Sequence, residues 1–163
     1  MGKRQVASRY EAWSEDRAAT ILREHGSGEG RLLPVLHAVQ AAFGHVPAAA
    51  VPLLADHFNL SRAEVHGTIS FYHDFRHQPP GRHVLKLCRA EACQAMGADR
   101  LHDNVKQQLG IGWHGTTGDG RVTLEPVFCL GLCATAPAAL LDDKPLVRLE
   151  AAALAVRLSD LPA

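Results

Sequence analysis

All four cysteines of this 163-residue chain lie beyond residue 87, in two close pairs: Cys88-Arg-Ala-Glu-Ala-Cys93, then 35 intervening residues, then Cys129-Leu-Gly-Leu-Cys133. Each pair directly follows an apolar run that reads as a β-strand, His83 to Leu87 before the first and Arg121 to Phe128 before the second. A strand is rigid enough to aim the loop behind it. A fold that serves these cysteines must therefore bring two loops, distant in sequence, to a common place.

The number of donors narrows the chemistry. In a 2Fe–2S cluster the two bridging sulfides are shared between the irons, so the protein supplies four thiolates, and four are present with none left over. Gly131 between the second pair, and Ala90 and Ala92 within the first, are small residues that let backbone N–H groups approach sulfur. Such donation stabilises the reduced, more negative cluster and raises its potential. Arg89, beside Cys88, would act in the same direction; the plainer reading makes it an exposed loop arginine. Zinc remains an alternative, although structural zinc pairs more often use C-x2-C spacing. A thioredoxin-type dithiol would need C-x-x-C at a helix start, which is absent. The plant-type ferredoxin run C-x4-C-x2-C is absent as well.

The 17 Lys and Arg balance 17 Asp and Glu, so no overall field favours nucleic acid or an anionic membrane. The longest stretch without a formal charge, Leu32 to Ala55, is interrupted by Pro34, Pro47, Pro52 and Gly44. It is predicted to form two short helices and a turn rather than a membrane span. Met1 to Gln5 open a polar, charged segment unlike an apolar leader, which makes a cytoplasmic protein the expectation. In that reducing compartment cysteines serve metals or redox chemistry more often than disulfides.

The two halves of the chain differ in pattern. Residues 1–80 read as a helical bundle and residues 81–163 as a thioredoxin-like α/β domain, which makes the whole α+β, with the boundary at Pro79-Pro80-Gly81. A first helix is predicted from Glu11 to Glu24 with Trp13, Ile21 and Leu22 on its apolar face. A second carries Leu32, Leu36, Val39 and Phe43 and stops at Gly44. A third is expected from Ala48 to Phe58, with Val51, Leu54 and Phe58 on one side. The fourth opens on a Ser61/Glu64 capping box, with Leu60 placed to staple against Val65 and with Val65, Ile69 and Tyr72 as its buried stripe. In the second half, the strand at His83 to Leu87 and a loop bearing Cys88 and Cys93 precede a helix from Asp99 to Leu109. The strand at Arg121 to Phe128 follows, then a hairpin of Ala139 to Leu141 and Leu146 to Leu149 around Asp142 to Pro145, and a closing helix with Leu154 and Leu158 stacked.

In these residues the chain resembles the thioredoxin-like 2Fe–2S subunits of NADH-linked dehydrogenases. That family includes the small cluster-bearing subunit of the complex I NADH module, the diaphorase part of bidirectional hydrogenases and the gamma subunit of NAD-dependent formate dehydrogenase. The resemblance spans about residues 30 to 150, including Leu60-Ser-Arg-Ala-Glu-Val-His-Gly67, Phe71-Tyr72, Thr123-Leu-Glu-Pro-Val-Phe-Cys129-Leu-Gly and Ala136-Pro137. Cys88-Arg-Ala-Glu-Ala-Cys93-Gln-Ala-Met-Gly97 is most similar to the formate dehydrogenase gamma subunits, whereas complex I members more often carry threonines and a proline between the first two cysteines. The resemblance implies that Cys88, Cys93, Cys129 and Cys133 bind the cluster. It further implies a beta partner with FMN, a 4Fe–4S cluster and the NAD site, and an alpha partner with a molybdenum cofactor where formate is oxidised. No glycine-rich phosphate loop, P-loop or nucleophile–base pair is read, so the chain is expected to have no catalytic residue and no NAD, flavin or formate site of its own.

Several further features invite other readings. Val51 to Val65 has the outline of a helix-turn-helix, but in its second helix, expected from Arg62 to Arg76, Arg62 and Arg76 are cancelled by Glu64 and Asp74. Phosphate binding wants excess positive charge, so a packed helical pair is expected and nucleic acid is not. His73 and His77 stand four residues apart without an accompanying carboxylate motif and are expected at the surface. Phe71, Tyr72 and Phe75 are expected to fill the seam between bundle and cluster domain, and Trp113 has no assigned role.

Overall fold

A computed structural model describes residues 10–28 and 30–162. The chain divides into two compact units, Met1–Pro79 and Pro80–Ala163. The polar start at Met1 to Gln5 lies outside the described residues.

The first unit is helical: α1 (Glu15–His25), α2 (Leu32–Phe43), α3 (Ala50–Phe58) and α4 (Arg62–Phe71). Helix α1 begins later than the sequence suggests, because the Ser14 side chain caps it by accepting the Arg17 N–H. Trp13 therefore stands before the helix, with its ring against Phe43. Helix α2 ends where Gly44 takes φ 78°, donating its N–H to the Gln40 carbonyl. Asn59, at φ 52°, closes α3 in the same left-handed conformation. At α4 the capping box is complete: Ser61 Oγ accepts from the Glu64 N–H (3.2 Å), and Glu64 Oε2 accepts from the Ser61 N–H (2.8 Å). Ile21, Leu22, Val35, Leu36, Val39, Phe43, Leu54, Val65 and Ile69 form the core, with Leu60 packed against it.

Two expectations about this unit need correction. Helix α4 stops at Phe71, with Tyr72 extended (φ −91°, ψ 103°), so the helical register is lost before Phe75 and long before Arg76. Phe75 turns into the core of its own unit, whereas Phe71 and Tyr72 stay 75% and 43% exposed. They are not the buried filling expected of them. His73 and His77 are exposed, on irregular chain rather than on a helix.

The second unit holds β1 (His83–Cys88), α5 (Glu91–Ala95), α6 (Ala98–Leu109), β2 (Val122–Val127), β3 (Ala139–Leu141), β4 (Lys144–Leu146) and α7 (Ala151–Ser159). The seven helices and four strands of the described residues make an α+β chain. The sheet order is β2-β1-β3-β4, with β1 and β2 parallel and the other pairs antiparallel. Its hydrophobic core joins Leu85, Leu87, Val122 and Leu124 of the sheet to Leu101 and Val105 of α6 and to Leu154 and Leu158 of α7. The hairpin is tighter than expected. Asp142 and Asp143 alone make the turn, both at positive φ (49° and 64°), and β4 begins at Lys144. The Asp142 carboxylate fastens that turn to the central strand, taking His83 Nδ1 at 2.6 Å and the Val84 N–H at 2.9 Å.

Candidate metal centre

Cys88 is the last residue of β1 and stands opposite Val127 in the parallel register with β2. Parallel pairing sends both chains off the same end of the sheet, so the segment running through Phe128 to Cys129 leaves beside Cys88. The main chain ties the two exits together, because the Arg89 N–H donates to the Val127 carbonyl at 2.7 Å. The Cys88 N–H donates to the Ala138 carbonyl at 3.1 Å. The expected loop after Cys88 is in part helical: Cys93 sits in the short helix α5, its N–H bonded to the Ala90 carbonyl.

Cys88 and Cys93 are 3% and 2% exposed, while Cys129 and Cys133 are exposed. The outer sulfurs lie 3.8 Å apart, and the Gly131 N–H donates to Cys129 Sγ at 3.4 Å. Gly131 adopts φ 73°, a conformation open to glycine at little cost, and Cys129 itself holds φ 83°, where a side chain is strained.

The ionisation of these thiols records how closely they are gathered. Burial pushes the Cys88 thiol up, but N–H donors of Ala90, Cys129 and Leu130, together with the Cys93 thiol, outweigh it and hold Cys88 below the ordinary thiol range. Two of those donors belong to the second cysteine loop, whose Leu130 and Leu132 pack against the cluster of buried residues that includes Cys88 and Cys93. Burial raises Cys93, and the hydrogen bond from Cys88 and the charges of Cys88 and Cys133 raise it further. Cys133 is raised chiefly by Cys129, with a contribution from Cys88. A cation placed among thiols that raise one another in this way favours their ionising together.

These donors fit a two-iron centre. Two thiolates about 2.3 Å from one tetrahedral metal ion stand about 3.8 Å apart, the separation of the outer pair. Among the described residues no group of three or more His, Cys, Asp or Glu side chains is arranged to hold a metal ion by itself. The sulfurs are set out as two pairs, and two thiolates are what each iron of a 2Fe–2S rhomb requires.

Residues with no signal in the linear pattern support the inner pair. His102 is buried, with its Nε2–H donating to the Cys88 carbonyl at 3.2 Å and its ring edge-on to Trp113. Burial holds its pKa below the ordinary histidine value, which favours the neutral ring. Trp113 packs against the core of this unit and carries two cations over its ring, Lys106 Nζ at 4.6 Å and the Arg89 guanidinium at 5.2 Å.

The glycine-rich run needs a correction. Gly110-Ile-Gly112-Trp-His-Gly115 does carry the letters of a G-x-G-x-x-G phosphate loop. Its context is reversed, however: it follows helix α6 and leads into strand β2, so no helix N-terminus stands behind it to receive a phosphate.

Fold and site together define a small iron–sulfur protein on a thioredoxin-like scaffold. The chain belongs to the thioredoxin-like [2Fe-2S] ferredoxin family, whose model matches residues 18–161. It is 37% identical over 116 residues to the HndA component of an NADP-reducing hydrogenase from Solidesulfovibrio fructosivorans, covering 71% of this chain and 68% of that one. It is 39% identical over 111 residues to one of the subunits of the NADH-quinone oxidoreductase of Pseudomonas aeruginosa, covering 68% and 67%. Among solved structures it resembles an air-oxidized NAD+-reducing [NiFe]-hydrogenase with a TM-score of 0.68 and 28% identity, over 85% of this chain but only 24% of the hydrogenase chain. No helix among the described residues is long and apolar enough to cross a membrane.

Proposed function

We propose that this chain is an electron-transfer subunit of an NAD-linked oxidoreductase assembly and holds one 2Fe–2S cluster on Cys88, Cys93, Cys129 and Cys133. The observation that carries the reading is the meeting of the two loops: the Arg89 N–H donates to the Val127 carbonyl at 2.7 Å, and Leu130 and Leu132 pack against the cluster of buried residues that includes Cys88 and Cys93. When bound, the cluster accepts and returns one electron at a time. Cys88 and Cys93 would hold it from the buried side and Cys129 and Cys133 from the exposed side, where their sulfurs would give the electron a short way out to a partner. The amides of Ala90, Cys129, Leu130 and Gly131 stabilise charge on sulfur.

Within that class we propose the NAD-dependent formate dehydrogenase context, on the strength of the segment Cys88 to Gly97. The partners are then a flavin- and NAD-binding beta subunit with FMN and 4Fe–4S, and an alpha subunit with molybdenum cofactor. The hydrogenase and quinone-reductase names of the relatives favour a second reading, the same electron-transfer role in one of those assemblies.

The test is direct. Purified anaerobically, the chain is expected to be red-brown and to bleach with dithionite, with iron and sulfide in equal amounts. Cys93→Ala should abolish normal cluster assembly while the helices of the first unit stay folded. A colourless protein containing zinc would defeat the cluster, and a co-purifying assembly without molybdenum would defeat the formate context.

A further inference from the structure

Arg89 follows Cys88 directly, yet it is not the exposed loop arginine that its position suggests. Its guanidinium carbon lies 5.2 Å from the Trp113 ring centre and 5.9 Å from that of Phe128. Phe128 is the residue before Cys129, so this one side chain reaches from the first cysteine loop to the second. Its Nε is buried without a hydrogen-bond partner, and among the described residues no acid pairs with Arg89. Lys106 lies over the same Trp113 ring, and Asp99 Oδ1 stands 3.7 Å from Nδ1 of His102, whose ring is edge-on to Trp113. A cation held by two aromatic faces is ordered without being neutralised, as it would be by a carboxylate.

We propose that Arg89, clamped between Trp113 and Phe128, is a fixed positive charge that sets the reduction potential of the cluster. The proposal rests on the cluster reading above and deepens it. Reduction adds one electron and no proton, so the centre gains one negative charge; the electron comes from dithionite through mediators in the test, and from reduced flavin in an assembly. A cation ordered beside both loops favours that more negative state, and favours it more strongly than a mobile cation in water would.

The experiment is a potentiometric titration of the full chain with its cluster in place, followed by visible absorption and by the paramagnetic signal of the reduced form. Arg89→Gln is expected to lower the ratio of reduced to oxidised cluster at a fixed ambient potential by about tenfold, equivalent to ~59 mV for one electron. Arg89→Lys, which keeps the charge, should retain most of the parent value, and Lys106→Gln should move it less than Arg89→Gln does. An unchanged potential in Arg89→Gln, or an equal fall in Arg89→Lys, would overturn the proposal. Should Arg89→Gln fail to load, Phe128→Ala decides instead. Phe128 is 70% exposed, so its removal spares the core. Releasing the guanidinium lowers the potential, whereas added hydration around the cluster alone raises it; an unchanged or raised value sinks the idea. Loading is read from the absorption spectrum before any titration, so a parent protein that binds no cluster defeats the reading of function rather than the role of the arginine.

Discussion

Gln40 does with one side chain what a neighbouring strand would do with its backbone. Its Nε2 donates to the Asp74 carbonyl at 2.7 Å, and its Oε1 accepts from the Arg76 N–H at 2.7 Å, fixing the irregular chain after α4 onto α2. Gln40→Leu keeps the volume and strips one bond from each of those backbone groups, so we expect it to destabilise the protein by about 1–3 kcal/mol. Urea denaturation followed by far-ultraviolet dichroism checks this, and a cost below the error of the fit would mean that water replaces the glutamine without loss. In the sequence, Gln40 is only a polar interruption in an uncharged stretch, because the groups it serves lie more than 30 positions away. The cysteines were legible for the opposite reason: thiols in a fixed count at fixed spacings mark out a candidate site by themselves. His102 and Trp113 were not, since a buried histidine and a tryptophan acquire their roles only through packing against Cys88 and Arg89.

Helix ends with their own chemistry were placed well at Gly44 and at the Ser61/Glu64 box, whereas the Ser14 cap was passed over for a start at Glu11. The α4 start was visible because Ser61 and Glu64 satisfy each other's backbone N–H groups within one turn. Its end was not, because nothing local in Phe71, Tyr72 or Phe75 says where an aromatic run leaves the helix. Ser61→Ala removes the acceptor for the Glu64 N–H and should cost about 1 kcal/mol, read from the same denaturation experiment. The box also has a pH signature. The backbone N–H of Ser61, and then its hydroxyl, hold the Glu64 carboxyl below the ordinary value of 4.5. A carboxyl depressed by folding contributes stability that is complete above its unfolded value and fades as the pH falls from about 4.5 through the folded value. Between pH 6 and 3, Glu64→Gln should therefore lose less stability than the parent, and parallel pH profiles for the two would remove Glu64 from that role.

At the scale of the whole molecule, the core of the first unit is made by its own four helices, and all four proposed ligands belong to the second. The ligand loops hang on the ends of β1 and β2, and the inner sulfurs are buried where an uncompensated thiolate is costly. Taking out the iron removes the tie between these loops and leaves that cost behind, as happens wherever a metal contributes folding energy. Removal of the iron is therefore expected to lower the melting midpoint of the unit from Pro80 onward while the transition of the helical unit stays in place. For a unit of this size each kcal/mol lost moves the midpoint by about 4–8 °C, a displacement that calorimetry resolves. The holo and apo proteins should share one transition and differ in the other. One merged transition that moves as a whole on iron removal would show that the cluster stabilises both units together, and the division of labour argued from their separate cores would then fail.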